Sequence, residues 1–167
     1  RVGPVEVLTD PGTFRYGGAP PWRNPLVGPD VHNGPALLSD RRPVKGPRFL
    51  WLRWPRAAIT SVREDSTGVV VVAQSDDGLE REIRVSPEGV TVQDRSRQGS
   101  GFRVAWLLHP GADPSLVSSD GADWRGADDG SPLGWFSPAY GVKVASRYFV
   151  SECSDGGSLV LRIAKRD

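Results

Sequence analysis

A carboxylate, an imidazole, two guanidinium groups and three aromatic rings fall in three short blocks between Thr9 and Asn33 of this chain. They lie in Thr9-Asp10-Pro11-Gly12-Thr13-Phe14-Arg15-Tyr16, in Pro21-Trp22-Arg23-Asn24 and in Val31-His32-Asn33. Asp10 and His32 could be part of a zinc site, because a carboxylate oxygen and a neutral imidazole nitrogen both suit that ion. Two ligands do not complete such a site, and from spacing alone Asp10-Pro11-Gly12 and His32-Asn33-Gly34-Pro35 are ordinary turns. Tyr16, Trp22 and Arg23 have the chemistry of a sugar platform. Aromatic faces stack on the apolar faces of pyranose rings, and a guanidinium forks onto a carboxylate or sulfate. Other catalytic sets fail on inventory. With His32 and His109 as the only histidines and Cys153 as the only cysteine, there is no zinc finger and no Cys-His nucleophile pair, and no phosphate-cradling loop or nucleophile elbow appears. His109, before Pro110-Gly111, reads as a strand-end residue.

Thr9 to Asn33 is too rich in Gly and Pro to be helical, so these groups sit on a loop that strands must hold. Apolar residues elsewhere alternate in short runs between Gly and Pro, which is an all-β pattern. Strands are expected at Val5 to Leu8, Ala36 to Leu38, Phe49 to Leu52, Ala57 to Glu64, Gly68 to Gln74, Leu79 to Val85, Gly89 to Asp94, Phe102 to Leu108, Ser115 to Ser118, Val142 to Val150 and Ser158 to Ala164. Gly68 to Gln74, with four successive valines, reads as a strand buried on both faces or central in a sheet. The last two strands read as a pair. About ten hairpin-connected strands without helices fit an antiparallel β-sandwich, and residues 1–167 read as one domain. Trp51, Trp54, Trp106 and Trp135 read as core or edge packing, and Cys153 as a small buried hydrophobe near a strand end.

The composition, 38% hydrophobic and 25% charged, is globular, and no apolar run approaches the roughly 20 residues of a membrane span. The chain opens at Arg1 and has no Met, so it is read as a fragment or processed piece. Net charge is +1, but residues 1–63 hold 10 basic and 4 acidic groups against 11 and 16 in residues 64–167. Arg41, Arg42, Lys45, Arg48, Arg53, Arg56 and Arg63 follow one another with no acid between them. Such a run suits a polyanion, either an acidic polysaccharide or nucleic acid, and equally suits outward positions on solvated strands.

Four blocks resemble the β-sandwich region of the heparinase II/III-like polysaccharide lyases. They are Val7 to Tyr16, Trp22-Arg23-Asn24 with Val31-His32-Asn33, Phe102 to Pro110, and Trp135-Phe136-Ser137-Pro138-Ala139-Tyr140-Gly141. The resemblance implies a parent enzyme with an N-terminal helical toroid and β-elimination on a uronic acid in a glycosaminoglycan or alginate. It implies a zinc site to which Asp10 and His32 give two ligands, with the remaining ligand upstream of Arg1. It also implies substrate contacts from Tyr16, Trp22, Arg23, Asn33, Arg41 and Arg42, and a periplasmic or extracellular location. The family continues His-Asn-Thr where this chain has His32-Asn33-Gly34-Pro35. On this reading the chain is a C-terminal β-sandwich that walls the cleft and is inactive alone. The alternatives are a non-catalytic carbohydrate-binding or scaffold sandwich and, last, a nucleic-acid-binding domain.

Overall fold

A computed structural model describes residues 6–39, 42–47, 50–119, 121, 123–154 and 156–165. The expected positions Val5, Arg41, Arg48 and Phe49 lie outside the described residues. Fourteen strands are formed among those described, four more than expected. They are β1 (Pro35–Leu37), β2 (Val44–Lys45), β3 (Trp51–Arg53), β4 (Ala57–Asp65), β5 (Gly68–Ser75), β6 (Leu79–Ser86), β7 (Gly89–Ser96), β8 (Phe102–Leu107), β9 (Val117–Ser119), β10 (Arg125–Gly126), β11 (Trp135–Ala139), β12 (Val142–Ala145), β13 (Arg147–Cys153) and β14 (Ser158–Ala164). The helical content is three short 3₁₀ turns, Pro25–Val27, Pro29–Val31 and Pro114–Leu116.

The strands form an antiparallel sandwich. One layer has the order β1-β8-β13-β10 and the other β4-β5-β6-β7-β14-β9, with β2-β3 and β11-β12 as separate ribbons. The core lies between the layers. Leu37, Phe102, Val104, Trp106 and Phe149 from the first meet Leu79, Val92, Leu161 and Ile163 from the second. The alternation at Phe102, Val104, Trp106 and Leu108 is the reason: successive side chains point to opposite faces, so these four share one, and all are buried.

Two strand readings are corrected. Val142 to Val150 is two strands, because Ser146 interrupts it: its N–H donates to the Gly134 carbonyl (2.8 Å) and its hydroxyl to the Leu108 carbonyl (2.5 Å). Nor do the last two long strands pair with each other. β13 joins β8 in one layer and β14 joins β7 in the other, so they face one another across the core. β5 is interior to its sheet, as one of the two readings of its valine run had it, with β4 and β6 on either side, while of its valines only Val70 is buried. The strand covered on both faces is β8, whose Ala105 and Leu107 are buried as well; the 3₁₀ turn Pro29–Val31 packs against it.

The expected first strand is reduced to a bridge between Leu8 and Leu108, with Thr9 N–H donating to the Leu107 carbonyl and His109 N–H to the Val7 carbonyl. These bonds deliver Asp10 to the edge of the four-stranded layer. No helix among the described residues is long and apolar enough to cross a membrane.

Candidate functional site

Asp10 and His32 meet. The Asp10 carboxylate sits at an Asx turn, where Oδ1 accepts the Gly12 N–H at 2.9 Å. Its other oxygen, Oδ2, lies 2.7 Å from His32 Nδ1. Side-chain exposures of 68% and 37% leave the pair open to solvent. Among the described residues no third His, Cys, Asp or Glu joins them in a metal-binding group.

The pair is positioned from both ends. On the Asp10 side, the Ser137 N–H donates to the Pro11 carbonyl (2.8 Å), the Phe14 N–H to Ser137 Oγ (2.9 Å), and the Gly141 N–H to the Phe14 carbonyl (2.7 Å). The Asp-Pro-Gly segment and β11 are therefore one unit, which is why two distant sequence blocks belong together. Gly12 is required there: its φ is +73°, and a Cβ would stand 2.5 Å from the Ser137 carbonyl oxygen. Phe14 carries the same left-handed backbone, φ 62°, offset by burying its ring with Leu26 and Val31 in a satellite core beneath the loop.

On the His32 side, Asn33 is a clamp. Its Nδ2 donates to the Thr9 carbonyl (2.8 Å) and its Oδ1 accepts from the Leu107 N–H (2.7 Å), so its amide is engaged by the chain itself. The Asn33 carbonyl in turn accepts from Arg81 Nη1. Arg81 also grips the fully buried Asp94 through two bonds, Nε to Oδ1 at 2.7 Å and Nη2 to Oδ2 at 2.8 Å, with its guanidinium over Trp106. Burial pushes the Asp94 carboxyl up, partly offset by the Arg81 fork. The Gly34-Pro35 pair makes a tight turn, Gly34 N–H to the His32 carbonyl at 2.7 Å, after which Pro35 enters β1 opposite Val104.

The candidate sugar-binding residues divide. Tyr16 is exposed and lies against the exposed Tyr140, ring centroids 5.7 Å apart. Arg23 is exposed. Trp22 is half-buried, edge-on to Phe14 and Trp135, and Lys143 Nζ stands 3.4 Å and 3.6 Å from the Trp22 and Trp135 ring centres while bonding Asp129 at 2.6 Å. Arg42 is paired with Asp30, whose carboxylate also faces Arg103 at 3.4 Å. Of the other indoles, Trp106 is core, Trp54 is exposed, and Trp51 meets it edge-on at 4.9 Å.

Lys143 and Tyr140 are additions that sequence reasoning missed. Tyr140 lay inside the Trp135 to Gly141 block, so its aromatic type in an exposed turn was the available signal. Nothing local marks Lys143, because its role depends on two tryptophans brought together from distant segments.

An antiparallel sandwich carrying an open Asp–His pair on a loop pinned to its edge defines a scaffold domain with a candidate ligand or metal position. The chain belongs to the heparinase II/III-like, C-terminal family, whose model matches residues 1–161. Among solved structures it resembles a mutant of heparan sulfate lyase HepC from Pedobacter heparinus, at 15% identity and TM-score 0.61 over 96% of this chain. It also resembles the Heparinase III-BT4657 gene product, at 12% and 0.59 over 95%. The chain spans 29% and 28% of the lengths of those two proteins. No curated protein matches it.

Proposed function

We propose that this chain is the β-sandwich domain of a polysaccharide lyase acting on a uronate-containing anionic glycan, and that it supplies metal ligands and cleft wall without a complete active site. In β-elimination a base removes the C5 proton, the C4–O bond breaks with its electron pair leaving on oxygen, and a C4–C5 double bond remains. Groups that neutralise the uronate carboxylate make that proton acidic enough to remove. The observation that carries the proposal is the Asp10–His32 pair, joined at 2.7 Å from opposite ends of the loop in a chain of this family.

The donor set fits zinc as half of a tetrahedral site. Ligand bonds of about 2.0–2.2 Å put two donor atoms about 3.3 Å apart, which a small rotation of these exposed side chains provides. The other ligands must come from outside the described residues. Bound zinc would supply a fixed positive centre that fastens the loop to the sheet. Tyr16 and Arg23 offer an exposed aromatic face and an exposed cation to the glycan, and Trp22, half-buried against Phe14 and Trp135, adds a second ring. Asn33 and Arg42 act by holding the loop, and Arg41, which precedes Arg42 in the basic run of the sequence, is assigned to the glycan by its charge alone. A periplasmic or extracellular setting accompanies this reading, because such polymers are met there.

The test is metal analysis of the full-length parent after dialysis, in wild type and in Asp10→Ala, together with turnover followed by ultraviolet absorbance of the unsaturated uronate. The variant is expected to lose most of its bound zinc; unchanged occupancy refutes the ligand assignment. Absence of unsaturated product from heparan sulfate, other glycosaminoglycans and alginate refutes the lyase reading.

A further inference from the structure

The two layers of the sandwich do not match in width. The four-stranded layer ends at β1, which sits over β6, so β5 and β4 project past it by two strands, about 10 Å at ordinary strand spacing. Cross-strand register identifies which of their side chains face inward. Val71 stands opposite Ile83, Ile83 opposite Val92, and Val92 opposite Leu161, and Val92 and Leu161 belong to the core. Residues directly opposite one another across a sheet share a face. On β4 that face carries Ile59 opposite Ala73, and Val62 opposite Val71.

Apart from Glu64, opposite Val69 near the end of the strand, the core-facing side of the overhang is apolar, yet Ile59 is 66% exposed and Val62 63%. The opposite face of β4 carries Ser61 and Arg63, opposite Val72 and Val70. From Ile59 to Arg63 strand β4 is apolar inside and polar outside, the pattern of a half-buried strand, yet among the described residues it stays exposed. It is also an edge, pairing only with β5 among the described strands. An edge strand of nine residues that leaves Ile59 and Val62 in water is a liability in a free-standing domain.

We infer that the inner face of β4 and β5 is the seat of another part of the same polypeptide, lying outside residues 1–167, which completes the narrower layer beyond β1. Two observations select this occupant over a second copy of the chain. The surface is continuous with the interior face of the sandwich, and the structural relatives are more than three times longer than this chain, which spans 29% and 28% of them. The inference is independent of substrate and of the metal pair, so it stands or falls separately from the proposed lyase activity.

The experiment uses the full-length parent with Cys153→Ser and any cysteine outside residues 1–167 likewise replaced by Ser, Val62→Cys as a mild reporter, and maleimide as the probe, labelling being read at residue 62 by peptide mass spectrometry. Labelling is expected to be at least about tenfold slower in the native protein than in the urea-unfolded chain, because reaction then waits on local opening. The protection is expected to persist on tenfold dilution of the protein. Labelling at close to the unfolded rate, with circular dichroism unchanged, overturns the inference by showing the face open. Protection that disappears on dilution overturns it in favour of a second copy.

Discussion

Removing Arg81 should damage the core and the candidate site together, with a pH dependence of defined sign. Arg81 holds the fully buried Asp94 by two hydrogen bonds, and its third contact fixes the Asn33 carbonyl. Breaking a buried ion pair by deleting one partner costs about 3–5 kcal/mol, since the remaining charge is left uncompensated. For Arg81→Ala, with a urea slope of about 2 kcal/mol/M, the midpoint should fall by about 1.5–2.5 M. Burial already raises the Asp94 pKa above its ordinary value, and losing the guanidinium raises it further. A carboxyl with a raised folded pKa binds its proton more tightly folded than unfolded. Its favourable contribution is therefore complete below the unfolded pKa and is lost as pH rises through the folded one. The deficit of Arg81→Ala relative to wild type should accordingly shrink as pH is lowered from 7 toward about 5. The assay is urea unfolding of the 167-residue chain at both pH values, with Arg81→Met/Asp94→Leu as the double variant. That pair should recover much of the loss, because two apolar groups replace the pair without an orphaned charge. A midpoint change under about 0.5 M, or a deficit that grows on acidification, would refute the reasoning.

Other variants test the loop. Asn33→Ala leaves the Leu107 N–H without its acceptor and should cost about 1–3 kcal/mol in the same unfolding assay, whereas Asn33→Asp, keeping an acceptor there, should cost less. Gly12→Ala places a Cβ against the Ser137 carbonyl at a positive φ; a loss of about 1–3 kcal/mol is expected, with faster proteolysis between Thr13 and Pro21 as the second readout. Lys143→Gln removes the cation held between Trp22 and Trp135, worth about 0.5–2 kcal/mol, and should shift tryptophan emission; unchanged emission and stability would show the ammonium to be incidental.

The loop itself was legible in sequence, because Gly and Pro exclude a helix there and leave Asp10 and His32 on turns. Their pairing was not: a separation of 22 residues carries no information on distance, and the contact exists because Ser137, on β11, fixes one end and Asn33 the other. Trp22 shows the same divide. Its ring was recognisable as a stacking group, but its shielding by Lys143 depends on β11 and β12 crossing beneath the loop.

Alternation by itself determined the β class, most strand positions and the buried face of β8, since period 2 is a local consequence of backbone geometry. Only tertiary structure decided which strands are neighbours. It sent β13 and β14 to different layers, although the sequence offered them as a pair. It also chose between the two readings of the β5 valine run, placing the strand inside a sheet with its valines half-covered and not buried on both faces. The physical reason is common to both: a strand's own residues fix how its side chains alternate, while its partners and its burial are set by how the layers overlap.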